Sequence, residues 1–366
     1  MGENLKELAK ALEDPACWLS GDTRQMEALL GILRKVAAGE GVVLGGEHPP
    51  IRGKILVATG GTSGNPRFAI HTWDTLSAAA QCLVAKVGEG IHSHSILPLG
   101  HVSGFMPAVR AVVSGGKLVL GRKNELLDGS AGYCISLVPT QLARFLDDSE
   151  AVARLKGYRR IFLGGAGADP SILEKARELE IPLSPCYGMT ETGAMVTMMG
   201  PEDFLNGREG CGEAMAGVEV TISPEGQVLV DTPGLCEGYA GGNGVVGRPF
   251  ETRDKGEFDA FGSLRILRRM DRIIITGGEK VDPSEVEAAL LGIQGIWEAL
   301  VVGLDDREWG QVVTAFVTGD QLDGEVIREA LRRQLPGYKI PKAIHVVGEL
   351  PLDGKGKTDW GKIRGF

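Results

Sequence analysis

From Lys54 to about Tyr187, short apolar runs rich in β-branched residues alternate with longer stretches whose apolar positions recur every three or four residues. The runs KILVAT (54–59), SILPL (95–99), KLVL (117–120), ISLVP (135–139) and RIFLGG (160–165) predict strands. Helices are expected from Trp73, after Ser103 and after Thr140. Such alternation is the mark of parallel βαβ units, and so of an α/β domain. Between residues 218 and 267 the pattern tightens to closely spaced strands with Gly-rich turns (VEVTIS, QVLVDT, FDAFGSLRIL), which predicts an antiparallel or barrel-like appendix to that domain. A small α+β unit follows: a strand at RIIIT, an amphipathic helix after Pro283, strands at ALVVGL and VVTAFV, a helix through Gly324–Leu335, and a strand at AIHVVGEL. The charged cluster RRMDR (268–272) separates two apolar runs, as linkers do, and places the domain boundary between 1–270 and 271–366.

Composition narrows the picture. With 366 residues and 43% hydrophobic content, the chain can bury two cores. No run approaches the roughly 18 apolar residues of a membrane span, and the start, MGENLKELAKALEDP, is charged and amphipathic with no signal-peptide core. A cytoplasmic location is expected. The six cysteines contain no C-x-x-C pair, so they read as reduced thiols. A formal charge of −9 argues against a nucleic-acid surface, and any phosphate ligand must be held by local groups.

One segment offers such groups. TGGTSGNPR (59–67) follows the strand KILVA and combines three glycines, hydroxyl residues and a cation in one loop. Glycines let the backbone approach phosphate oxygens, Thr62 and Ser63 can donate hydrogen bonds, and Arg67 supplies charge. Pro66-Arg67 stands where G-x-x-x-x-G-K-[ST] needs Gly-Lys, so this is no standard P-loop. GGAGAD (164–169) lacks the third glycine of a dinucleotide fingerprint. Taken alone, 59–67 is equally an ordinary Gly-rich turn.

Its company changes that reading. TGGTSGNPR, YGMTETG (187–193), TRDKGE (252–257), RRMDRIIITGGEKVDPSEVE (268–287) and GKTDWGKIR (356–364) occur in the order found in the adenylate-forming enzymes, which the chain resembles from about residue 54 to its C-terminus. That family comprises acyl-CoA synthetases, adenylation domains and luciferases. Within it, LPLGHVSG (97–104), AIHT (69–72), SLVPTQLARFL (136–146) and the TRD spelling are most similar to the o-succinylbenzoate–CoA ligases of menaquinone biosynthesis. Two features depart from the family pattern. Arg67 replaces the usual loop lysine, which keeps the charge on a planar fork. The phosphate loop also begins near residue 59, where family members carry well over a hundred preceding residues, so the N-terminal region is expected to be shortened.

The resemblance implies an α/β enzyme with a large domain and a small mobile α+β domain, acting as an AMP-forming acid–thiol ligase with ATP, Mg²⁺ and CoA as co-substrates and leaving room for a homodimer. The phosphate loop is Thr59, Gly60, Gly61, Thr62, Ser63, Gly64 and Arg67. Thr190 contacts the α-phosphate and Glu191 binds Mg²⁺, although a hydroxyl–carboxylate pair is also a common helix cap. Gly164, Gly165, Ala166, Tyr187 and Gly188 lie along the nucleotide base. Asp254 accepts the ribose hydroxyls, unless it is an Asp in a β-turn before Gly256, and Arg269 is a second ribose or phosphate contact. Asp271 is the hinge. Gly277, Gly278 and Glu279 line the thiol route, and Lys357, in the loop GKGKTDW, is the mobile catalytic lysine in preference to Lys355. His101, Ser103 and Thr140 belong to the acyl pocket. Arg110 or Arg144 would meet a second substrate carboxylate, though each also reads as a surface arginine whose stem covers apolar neighbours. Other readings are a ligase for another aryl or fatty acid, transfer to a carrier-protein thiol, and a catalytically impaired nucleotide-binding homologue. Retention of Glu191, Asp254 and Lys357 together speaks against the last.

Overall fold

The computed structural model describes residues 2–20, 23–59, 67–242, 246–320, 322–352, 358–363 and 365–366. The chain divides into two compact units, residues 1–252 with 256–266, and residues 253–255 with 267–366.

The first unit is built on an eight-stranded sheet whose spatial order is Trp18–Ser20, Leu118–Leu120, His92–Ser95, Tyr133–Leu137, Arg160–Leu163, Leu183–Met189, Ala194–Met198 and Glu213–Ala214. The first six strands are parallel and the last two antiparallel. Crossover helices cover it. Val102–Ser114 and Trp73–Val87 join a core with Leu29, Leu33 and Leu118, while Pro139–Leu146 and its neighbours enclose Ile135, Leu142 and Ile161. Burial on both faces explains why these strands read as continuous apolar runs.

Two departures from the sequence reading matter for the site. KILVA is not the first strand of this sheet. Ile55–Ala58 lies in a second sheet, parallel to Val42–Leu44 and antiparallel to Phe68–His71, whose far edge pairs with Gly238–Tyr239. The phosphate loop therefore connects two antiparallel strands and not a strand to a helix. The expected strand SILPL is displaced as well: the strand is His92–Ser95, and the chain has left the sheet by Pro98. Its letters, HSHS, are polar, yet Ser93, His94 and Ser95 are buried. The Tyr158 hydroxyl lies 2.7 Å from His94 Nδ1, and burial holds the imidazole neutral, its pKa lowered to about 4.

After Gly217 the chain forms a four-stranded sheet in the order Glu219–Ile222, Gln227–Asp231, Phe250–Phe258, Leu264–Arg269. The run FDAFGSLRIL is thus a turn followed by a strand, and the TRD segment lies within the preceding strand. In the second unit, Gly310–Gly319 pairs along one edge with Ile296–Asp306 and along the other with Ile274–Thr276 and Ala343–Val346. Helices Pro283–Leu291 and Gly324–Arg332 contribute Val286, Leu290, Ile327 and Leu331 to a core with Val301, Val313 and Ala315. Gly324–Arg332 stops three residues short of the expected Leu335. Among the described residues no helix is long and apolar enough to cross a membrane, and all six cysteines are free thiols.

Candidate active site

Parallel strands bring their carboxyl ends to one edge, where open α/β sheets bind ligands. His101 and Ser103 follow His92–Ser95, Thr140 follows Tyr133–Leu137, Gly164, Gly165 and Ala166 follow Arg160–Leu163, and Thr190 with Glu191 follow Leu183–Met189. The register Leu137↔Leu163↔Pro185 aligns two of these ends, and Leu183–Met189 runs four residues beyond them. Tyr187 is buried within the last strand, and Gly188 is required there: a Cβ would stand 2.0 Å from the Ala194 carbonyl oxygen on the adjacent strand.

The mouth of the phosphate loop is tied shut at its base, since the Thr59 amide donates to the Arg67 carbonyl at 2.7 Å. Gly60, Gly61, Thr62, Ser63 and Gly64 lie outside the described residues. The Arg67 guanidinium sits 4.3 Å from the centroid of the Tyr239 ring. From the other end of that ring, the Tyr239 hydroxyl donates to Glu191 Oε1 at 2.8 Å. Burial, followed by the neighbouring Glu191 carboxylate, pushes the Tyr239 phenol upward, so it stays a protonated donor. The backbone adds a clamp, because the Cys236 amide donates to the Glu191 carbonyl at 2.8 Å. Loop cation and acidic residue are thus linked through one tyrosine.

A second link runs underneath. His71 ends the strand Phe68–His71 with 0% exposure, and its Nε2 lies 2.8 Å from the Thr190 carbonyl. Burial lowers its pKa to about 4, so the ring is neutral at pH 7. A carbonyl only accepts, so Nε2 carries the proton, and Nδ1 accepts from the Thr75 hydroxyl at 3.1 Å. Thr75 forms a capping box with Thr72 at the start of Trp73–Val87. One histidine thereby fixes Thr190 of the large sheet to the hairpin that carries the phosphate loop.

Thr190 and Glu191 lie in a 3-10 turn, Thr190–Thr192, and the hydroxyl that bonds the Met189 backbone is that of Thr192. Thr190 and Glu191 are therefore not a cap pair in the sense of the alternative reading. Glu191 Oε2 has no hydrogen-bond partner among the described residues. One half-exposed carboxylate with a free oxygen fits a hard cation that takes its remaining ligands from phosphates and water. Among the described residues there is no cluster of three potential metal-ligating side chains.

The acyl-pocket residues divide. Arg110 is not a surface arginine: it is 3% exposed, its Nη1 lies 3.5 Å from the Ser136 hydroxyl, and its guanidinium is 5.2 Å from the Phe162 centroid. Burial lowers its pKa to about 10, and the groups opposing that shift are the Cys186 and Cys134 thiols. Thr140 and Arg144 are exposed on Pro139–Leu146. His101 and Ser103 are half-buried at the start of Val102–Ser114.

The second unit holds the remaining candidate residues. Asp254 sits mid-strand in Phe250–Phe258, 4% exposed, which corrects the turn alternative, and Arg269 Nη1 lies 3.6 Å from its carboxylate. Gly277 and Gly278 form the two-residue turn between Ile274–Thr276 and Glu279–Val281 with φ of 57° and 85°, conformations that favour glycine. The Gly277 amide donates to the Trp309 carbonyl at 2.9 Å. Glu279 is exposed on the following strand. The backbone of Asp271 lies in the short turn Met270–Arg272, its side chain outside the described residues, as are Lys355 and Lys357 entirely.

The AMP-binding enzyme profile matches residues 55–240 and the AMP-binding enzyme C-terminal domain profile residues 285–357. The chain belongs to the AMP-binding enzyme family. The family's two profiles fall one in each structural unit. The chain is 31% identical over 327 residues to the 2-succinylbenzoate–CoA ligase of Listeria monocytogenes, covering 86% of this chain and 70% of that protein. It is 32% identical over 326 residues to that of Bacillus licheniformis, covering 82% and 68%. The solved structure of o-succinylbenzoate CoA synthetase from Bacillus subtilis in complex with its acyl-adenylate intermediate superposes with a TM-score of 0.68 at 25% identity, covering 98% of this chain and 81% of that one.

His71 and Tyr239 were not singled out by the sequence reading. His71 lies in the AIHT segment (69–72), but the resemblance gave it no role of its own. Tyr239 carried no signal, because its place depends on a two-residue strand pairing with Ala69 and Ile70.

Proposed function

We propose that the chain is an AMP-forming acid–thiol ligase that activates o-succinylbenzoate with ATP and passes the acyl group to CoA. The observation that carries this reading is the chain of contacts Arg67–Tyr239–Glu191, which sets a cation and a carboxylate with a free oxygen beside the phosphate loop. In the first step a substrate carboxylate oxygen attacks the α-phosphorus, a P–O bond forms, and the bond to pyrophosphate breaks. Negative charge grows on the phosphate oxygens, so the loop 59–67, Thr190 and Lys357 act as preorganised stabilisers. Glu191 would hold Mg²⁺, which would further neutralise phosphate charge. Tyr187, Gly188 and Gly164–Ala166 hold the base, and Asp254 with Arg269 the ribose. In the second step the CoA thiolate attacks the acyl carbon, the C–O bond to AMP breaks, and AMP leaves. Rotation about Asp271 exchanges Lys357 for Gly277, Gly278 and Glu279 between steps, so one site serves two reactions.

Arg110 supports the choice of acid. A buried guanidinium whose opposing groups are thiols lacks the counter-charge that such a cation needs, and the second carboxylate of o-succinylbenzoate would provide it. His101 and Ser103 would border the same pocket. The reaction is placed in the cytoplasm, where ATP and CoA are available.

ATP–pyrophosphate exchange tests the reading. Exchange should depend on o-succinylbenzoate and be weak with benzoate or fatty acids. Stronger exchange with a monocarboxylate would make the chain a ligase for another acid. ATP binding without exchange for any acid would make it an impaired nucleotide-binding homologue.

A further inference from the structure

At the opposite edge of the large sheet, at the amino ends of its parallel strands, lies a cavity of about 200 Å³. Lys86 from the last turn of Trp73–Val87, Arg160 from the first position of Arg160–Leu163, and Arg208 line it with Asp203 and Glu213. Arg160 begins the strand that ends just before Gly164. The sheet therefore separates this cavity from the nucleotide edge by the length of a four-residue strand, roughly 13 Å.

The charges are unequally distributed. Asp203 and Glu213 both turn to Arg208, at 3.2 and 3.9 Å. That leaves Lys86 and Arg160 without a carboxylate partner among the described residues. The Lys86 ammonium donates to the Glu213 backbone carbonyl at 3.2 Å, and one Arg160 Nη to the Ser184 hydroxyl at 2.8 Å. The Nε–H groups of Arg160 and of Arg208 are buried with no acceptor. Two cations without a carboxylate partner among the described residues, at one partly open cavity, lack the same thing, an anionic acceptor. Burial and the facing Arg160 both lower the Lys86 pKa, with Glu213 and Asp203 opposing, as expected where like charges converge.

We propose that this cavity is a binding site for a small multivalent oxyanion, of which inorganic phosphate is the simplest. Its volume suits such an ion, and its cations offer both a point ammonium and planar forks, the two donor geometries that phosphate accepts. Mechanically, an ion there would tie the end of Trp73–Val87 to the start of Arg160–Leu163 and to the segment 200–213.

Inorganic phosphate, titrated against chloride at matched ionic strength, should raise the melting temperature of the wild-type chain along a saturable curve. Lys86→Gln removes one charge from an exposed helix end and should weaken the apparent affinity by about tenfold, the size of one hydrogen bond to a charged group. Arg160→Gln should abolish the response, and Arg160→Lys should retain part of it. A folded Lys86→Gln protein keeps the test open if Arg160→Gln fails to fold. The KM for ATP should be the same in wild type and Lys86→Gln. A linear wild-type response equal to that in chloride would overturn the proposal and leave the cavity to water. So would a saturable response unaltered by Lys86→Gln and competitive with ATP, which would place the ion in the phosphate loop.

Discussion

The Tyr239 hydroxyl holds the Glu191 carboxylate at 2.8 Å while Arg67 lies against the same ring, so the acidic residue proposed to carry Mg²⁺ is oriented by a side chain from a different sheet. Tyr239→Phe removes the donor and keeps the ring. A hydrogen bond to a charged group is worth about 1.5–3 kcal/mol. The variant should weaken the apparent Mg²⁺ dependence of pyrophosphate exchange by about tenfold or more, with little change in melting temperature. An unchanged Mg²⁺ titration would show that Glu191 needs no such support.

His71 makes stability depend on pH in a stated direction. Its folded pKa of about 4 lies below the unfolded value of 6.5, so between those limits the unfolded chain binds more protons. This contribution is full above pH 6.5, is lost progressively as pH falls from about 6.5 to about 4, and changes no further below. The gap corresponds to about 3 kcal/mol. His94, also lowered to about 4, adds a loss of the same sign. Chemical denaturation of His71→Gln across that window should show a shallower slope than wild type, and equal slopes would contradict the assignment.

Arg110 separates stability from recognition. Replacing a buried, uncompensated cation by an apolar side chain of similar length is often neutral or stabilising. Arg110→Met should therefore melt no lower than wild type while losing about 2–5 kcal/mol in binding a dicarboxylate, a rise in KM for o-succinylbenzoate of at least roughly thirtyfold. A monocarboxylate analogue should be affected little. Equal effects on both acids would remove Arg110 from substrate recognition.

Under the proposed rotation about Asp271, Lys357 should serve the first half-reaction alone. Loss of one preorganised donor costs roughly 10²–10³ in rate. Lys357→Ala should slow acyl-adenylate formation by that much, while CoA still converts supplied acyl-adenylate at a near-normal rate. Lys355→Ala is the control, and a larger loss there would shift the role by two residues.

Much of this was legible in the chain because it is local. The apolar runs marked three strands of the parallel sheet, Leu118–Leu120, Tyr133–Leu137 and Arg160–Leu163, and five ordered motifs marked the family. What escaped was set by tertiary context. The strand His92–Ser95 is spelled in polar letters, and Tyr158, 64 residues on, bonds one ring nitrogen of His94 inside the sheet. The hairpin setting of the phosphate loop was hidden because a strand running into a Gly-rich loop reads alike in a βαβ unit and in a hairpin. Arg110 looked like any arginine on an apolar helix until Ser136 and Phe162 were found around it. Tyr239 matters only through residues distant in sequence, which no periodicity or spacing records.

The central claim is that the substrate carboxylate itself attacks the α-phosphorus. Supplying o-succinylbenzoate labelled with ¹⁸O in its carboxylates, together with ATP, Mg²⁺ and CoA, and analysing the products by mass spectrometry follows that bond directly. The account predicts AMP carrying one ¹⁸O atom in its phosphate, formed one-for-one with the thioester and unlabelled pyrophosphate. Unlabelled AMP, or ADP with label in inorganic phosphate, would contradict it.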